Sequence, residues 1–143
     1  MEILKANAAM LSNFEVLTLL KDQKALRQAN EVAGAREVAE NLRTVEFEVQ
    51  KYLNDTPCSS QTSEQILSLK RALSKYELMK VELLQILNLR PKSAVELLLV
   101  VEEFEERLSL EDCDEIVRII SETLPREDDD VEMEENGDVE GDE

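Results

Sequence analysis

Apolar residues along this chain recur at helical spacing. After Ser12, the residues Val16, Leu17, Leu20 and Leu26 form a stripe that fades near Gly34. After Thr44, the residues Val45, Val49, Tyr52 and Leu53 fall at i, i+4, i+7 and i+8, which predicts a second helix. That helix must end before Thr56 and Pro57, because the residue ahead of a proline is pushed out of the α region. Residues 31–43 read as a loose polar connection. After Thr62, the residues Ile66, Leu69, Leu73 and Tyr76 share a face, and a further pattern through Val81, Leu84, Ile86, Leu87 and Leu89 runs up to Pro91. A bend is predicted near residues 78–80. The clearest amphipathic stripe is Leu110, Cys113, Ile116, Val117, Ile120 and Leu124, introduced by Ser109 and stopped at Pro125.

Helix starts carry their own signal. Ser12 with Glu15, Thr62 with Gln65 and Ser93 with Glu96 have the spacing at which a hydroxyl and an acid or amide cap one another's backbone amides. Thr44 also reads as a start, although Phe47 stands where the acid would be. Pro91 and Ser93 predict a hairpin of two or three residues, and the run AVELLLVV behind it predicts a helix buried on most sides at the centre of the core. Only VEFEV at 45–49 alternates as a strand would, and glycine is nearly absent before the C-terminal stretch. The expected fold is all-α.

Composition narrows the function classes. The net charge is −17, but the last 18 residues hold eleven acids and one arginine, which leaves −7 on residues 1–125. The stretch REDDDVEMEENGDVEGDE repels itself and has little to bury, so residues 126–143 are expected to be a disordered acidic tail. An acidic body repels phosphate backbones, and a dedicated nucleic-acid surface is not expected. The longest apolar run, residues 97–101, is five residues against the roughly twenty that span a bilayer, so no membrane span is expected. MEILKANAAML lacks the basic and apolar regions of a secretory signal, and with two cysteines a reducing compartment is expected.

Candidate chemistry is sparse. The chain has no histidine, which removes the usual serine and cysteine nucleophile partners and the commonest zinc ligand. No glycine-rich phosphate loop exists, so nucleotide binding is not expected, nor a cofactor. Glu102, Glu103, Glu105 and Glu106 read as a solvated helix end on which Arg107 pairs with Glu103, in preference to a metal or acid-base site. Cys113, on the last apolar stripe, reads as a core residue, while Arg90 reads as an exposed cation at a helix end. No catalytic or metal-binding residues are predicted.

Three blocks carry a family resemblance: LSNFEVLTLL at 11–20, TVEFEVQKYLNDTPC at 44–58, and LMKVELLQILNLRPKSAVELLLVVEEFEERLSLED at 78–112, closed by LP at 124–125. With them the chain resembles the small stalk subunit of eukaryotic RNA polymerase III, the calcitonin gene-related peptide receptor component protein family. ILNLRPKSAVE followed by VEEFEERL is the most specific part. The resemblance implies an N-terminal helical partner-binding segment over 1–43, a helical bundle like the helicase-and-RNase-D C-terminal (HRDC) type over 44–125, and then the tail. It implies a nuclear, non-catalytic polymerase subunit that pairs with a larger, barrel-containing stalk subunit, joins the polymerase III core and contacts initiation factors, meeting nucleic acid only through the complex.

By position, the resemblance assigns the partner-holding segment to residues around Leu4, Leu11, Asn13, Glu15, Val16 and Leu20, and its second block to Glu82, Gln85, Asn88, Arg90 and Pro91. Asn88, Arg90 and Pro91 also read as residues that simply make the hairpin. Met79 and Leu83 depart from the family, which tends to have a threonine cap and a lysine there. Two other classes of function compete with this reading. One is an acidic chaperone or adaptor that binds basic proteins through the tail, and the other is a role in receptor signalling, for which no residue here argues.

Overall fold

A computed structural model describes residues 9–32 and 39–126, and over these the chain is all-helical with no strand. Leu4, Gly34 and residues 127–143, where the tail is expected, lie outside the described residues. The helices are α1 (Asn13–Val32), α2 (Glu40–Asn54), α3 (Ser63–Ala72), α4 (Lys80–Leu89), α5 (Ala94–Leu98), α6 (Phe104–Arg107) and α7 (Leu110–Thr123). They form two compact units. The first contains α1, α2 and the last turn of α4, Leu87–Leu89; the second contains the remainder from Ser60 onward.

In the first unit, α1 begins where its cap predicts. The Ser12 hydroxyl accepts from the Glu15 amide at 3.2 Å, and the Glu15 carboxylate accepts from the Ser12 amide at 2.7 Å. Leu17, Leu53 and Cys58 form a buried cluster with Phe14, Val16 and Val49 against it. Because Leu17 meets Leu53 while Arg27 pairs with Glu46, α1 and α2 run antiparallel. α2 starts four residues earlier than predicted, so residues 40–43 are helical rather than part of a loose connection. Thr44 is not its cap: its hydroxyl donates back to the Glu40 carbonyl at 3.1 Å, the bond a threonine makes inside a helix. VEFEV is helical within α2, with Val45 and Tyr52 exposed, and Leu26 of α1 is also exposed. The helix ends ahead of Thr56 and Pro57, and Thr56 donates to the Leu53 carbonyl at 2.7 Å.

In the second unit, α3 opens with the predicted box between Thr62 and Gln65. It tightens into a 3-10 turn, Leu73–Tyr76, after which the chain bends and restarts at Lys80. The bend lies where the sequence places it, and Met79 supplies no side-chain cap there. α7 is opened by a reciprocal cap between Ser109 and Asp112 and buries Cys113, Ile116 and Ile120 against α3 and α5.

The long buried helix expected over AVELLLVV does not form. α5 is five residues long, the connection before it is four residues, and a turn follows it. Glu96 accepts from the Lys92 amide at 2.8 Å rather than from Ser93, so the Ser93 cap works in one direction only. Leu97, Val100 and Val101 are buried, whereas Val95 is 71% exposed and Leu99 82% exposed, with Leu98 also exposed. Leu110 at the start of α7 faces solvent as well. A five-residue helix has one inner face, and Leu97 occupies it.

This asymmetry is measurable by urea unfolding. Leu97→Ala should lower stability by about 2–4 kcal/mol, the usual cost of emptying a closed apolar site. Leu99→Ser should change it by less than about 0.5 kcal/mol. Equal losses would place Leu99 in the core and contradict the architecture.

Candidate functional site

Glu82, in the first turn of α4 and 2% exposed, gathers four hydrogen bonds on its carboxylate. Its carboxylate accepts from the amides of Met79 (2.7 Å) and Glu102 (3.0 Å) and from both terminal nitrogens of Arg107 (2.6 and 3.1 Å). Arg107 donates further to the carbonyls of Glu102 and Glu77. The hydrogen bonds from Arg107 hold the Glu82 carboxyl below the ordinary glutamate range, opposed by burial and assisted by the two amides. Arg107 therefore pairs across the fold with Glu82, not with Glu103 as local spacing suggested. The same bonds explain why the helix over AVELLLVV stops. An unbroken helix would use the amide and carbonyl of Glu102 internally, whereas here they go to Glu82 and Arg107.

Arg90 corrects a second expectation. It is 3% exposed, and its Nε donates to the Leu124 carbonyl at 2.6 Å, which satisfies an orphan acceptor at the end of α7. Arg90 takes φ 50°, a left-handed backbone that ends α4 without a glycine. Its role in the hairpin is structural closure.

The other positions singled out by resemblance fall in different settings. Asn88 is half-buried and accepts from the Asn13 amide at 2.9 Å, so it fills one of the unpaired donors at the start of α1. Glu15 is part of its own helix cap. Val16 packs on the first unit's apolar cluster and Leu20 is half-buried, while Leu11 and Gln85 are exposed. The structure thus joins Asn13 with Asn88, and separately binds Arg90 to Leu124. Neither pairing is visible from sequence spacing.

A smaller polar group sits where α3 gives way to its 3-10 turn. Glu115 accepts from Lys75 (3.0 Å) and from the Tyr76 hydroxyl (2.7 Å), and Lys75 lies 4.8 Å from the Tyr76 ring centre. Burial raises the Tyr76 pKa, with Glu115 adding to it, and the Tyr76 hydrogen bond in turn lowers that of Glu115. Cys113 is buried and donates to the Ser109 carbonyl at 2.8 Å, and burial raises its thiol pKa. Among the described residues no group of acidic, cysteine or histidine side chains is placed to hold a metal. No helix there is long and apolar enough to cross a membrane.

The structure thus defines an all-helical protein whose buried charged groups serve its own architecture. The family model described as RNA polymerase Rpb4 matches residues 10–124. The chain is 40% identical over 130 residues to DNA-directed RNA polymerase III subunit rpc9 of Schizosaccharomyces pombe, covering 87% of this chain and all of that protein. It is 34% identical over 133 residues to the protein of the same name from Dictyostelium discoideum, covering 87% of this chain and 91% of that one. The chain belongs to the RNA polymerase Rpb4 family.

Removing the buried carboxylate gives a signed prediction. Glu82→Gln should destabilise the chain at pH 7 by about 2–3 kcal/mol, somewhat below the loss for a fully buried ion pair because Arg107 remains partly exposed. The native Glu82 pKa is depressed, so its contribution is complete above the unfolded value of about 4.3 and is lost as pH falls through the native value. The stability gap between parent and variant, read from urea midpoints across pH 3 to pH 7, should therefore narrow below about pH 4.3. A gap that stays constant through acid would show that the charge contributes nothing.

Proposed function

We propose that this chain is a non-catalytic subunit of DNA-directed RNA polymerase III. In this reading it forms the stalk heterodimer with the larger, barrel-containing stalk subunit and helps initiation by contacting initiation factors in the nucleus. The observation that carries the reading is the 40% identity extending over the whole length of a relative named DNA-directed RNA polymerase III subunit rpc9. The placement of buried charge is consistent with it. Glu82, Arg107 and Arg90 are committed to internal bonds, so a partner must be met through other surfaces.

The N-terminal segment holds the larger stalk subunit, with Leu4, Leu11, Asn13, Glu15, Val16 and Leu20 as the residues assigned there. Leu11 is the most informative of these to alter. It is exposed, so a change should weaken pairing without emptying a core, whereas Val16 packs against Leu17 and Leu53 and would report on folding too. In the second unit, the exposed Gln85 of α4 is presented to the rest of the assembly.

Recovering the tagged chain from nuclear extract at moderate salt tests this reading. The large subunits of polymerase III and the larger stalk subunit should co-elute, Leu11→Glu should reduce that recovery, and removal of residues 127–143 should leave it intact. Recovery of histones and other basic proteins without polymerase would make the acidic stretch the active element and overturn the assignment.

A further inference from the structure

α5 turns its apolar side chains both ways. Leu97 is buried, with Val100 and Val101 beyond it, while Val95, Leu98 and Leu99 fall at i, i+3 and i+4 and so share the opposite side as an exposed ridge. Helical winding continues past the last residue of α5, with the Val101 amide donating to the Leu97 carbonyl at 3.1 Å. Glu102 therefore comes at the end of the ridge, three residues on from Leu99. Its amide is held by Glu82 and its carbonyl by Arg107, so the backbone that carries this carboxylate is fixed.

The sign around the ridge is negative. Glu96, Glu102 and Glu103 are exposed. Residues 92–107 hold five glutamates against Lys92 and Arg107, a net charge of −3 with both cations counted. Arg107 is moreover bonded to Glu82. A second copy of this chain would bring the same acids against these and is repelled, as are a phosphate backbone and an anionic lipid surface.

We infer that the α5 ridge is a docking site for a basic amphipathic helix of a partner protein, one that lays apolar side chains over Val95, Leu98 and Leu99 and aims Lys or Arg at Glu102 and Glu103. Apolar area and charge complementarity make separate contributions. Burial of the aliphatic side chains supplies affinity, while the acids at the end of the ridge select the sign and direction of the occupant. A ridge at this spacing fits the groove between side-chain rows of a second helix. The preformed backbone at Glu102 lowers the ordering needed on binding. The inference rests on the second unit alone and is independent of which assembly the chain joins.

The test uses the full chain and a short fluorescein-labelled helical peptide of Leu and Lys, read by fluorescence anisotropy. Val95→Ser combined with Leu99→Ser should weaken binding by roughly tenfold or more, through the lost burial of two aliphatic side chains, while helicity by circular dichroism is retained. Glu102→Gln combined with Glu103→Gln should weaken it several-fold, with the difference from the parent shrinking as salt rises. Glu64→Gln combined with Asp114→Asn makes the same change in net charge on exposed positions of α3 and α7 and should leave affinity within about twofold. These pairs separate the ridge from overall charge and from the acidic stretch at 127–143. The inference is overturned if the ridge variant binds as the parent does, if the two charge variants behave alike, or if no binding occurs below about 1 mM. It is also overturned if the chain alone sediments as a dimer that Leu99→Ser dissociates, which would make a second copy the occupant.

Discussion

A carboxylate withdrawn from water organises the second unit. Burying a charge is costly unless its hydrogen-bonding capacity is filled, and Glu82 fills it with two backbone amides and both terminal nitrogens of one arginine. Those bonds tie together the start of α4, the turn after α5, and α6. Two residues beside the network, Glu77 and Glu103, hold left-handed backbones at φ 50° and 51° without being glycine. Each such residue costs on the order of 1–2 kcal/mol, and the geometry persists because Arg107 bonds the carbonyls of Glu77 and of Glu102. The third left-handed residue, Arg90, is likewise anchored through its own side chain. Backbone strain and an arginine committed to backbone carbonyls thus occur together at all three positions.

What could be read from the sequence follows the range of the forces involved. The caps at Ser12 and Thr62 act over three residues, and the stripe through Cys113, Ile116 and Ile120 repeats over one helix, so all were legible. The bend before Lys80 was legible because the apolar pattern shifts phase there. The Glu82 and Arg107 pair spans 25 residues, and spacing offered Arg107 a nearer partner in Glu103. Hydrophobicity misled at AVELLLVV for the same reason. Apolar content says a residue gains from burial, but which side of a short helix is covered depends on what packs there. Left-handed positions at glutamate and arginine leave no signature in composition.

The candidate surfaces show the same division. Family resemblance is carried by blocks of side chains, many of which turn out to serve folding: Asn88 fills a donor of α1, Arg90 an acceptor of α7, and Glu15 its own helix start. A matching position is therefore weak grounds for assigning a partner contact. The ridge on α5 drew no notice as a surface because the apolar run AVELLLVV reads as core. Only the packing of Leu97, Val100 and Val101 on one side leaves Val95, Leu98 and Leu99 on the other.

The exposed face of Val95, Leu98 and Leu99 bears on how much of the chain a cell can hold. A ridge of three aliphatic side chains open to water invites chaperones and proteases, which act on accessible apolar surface. Copies made in excess of whatever covers that ridge would be removed faster than covered ones. The abundance of the chain would then follow the supply of its assembly, giving stoichiometric control through turnover rather than through synthesis.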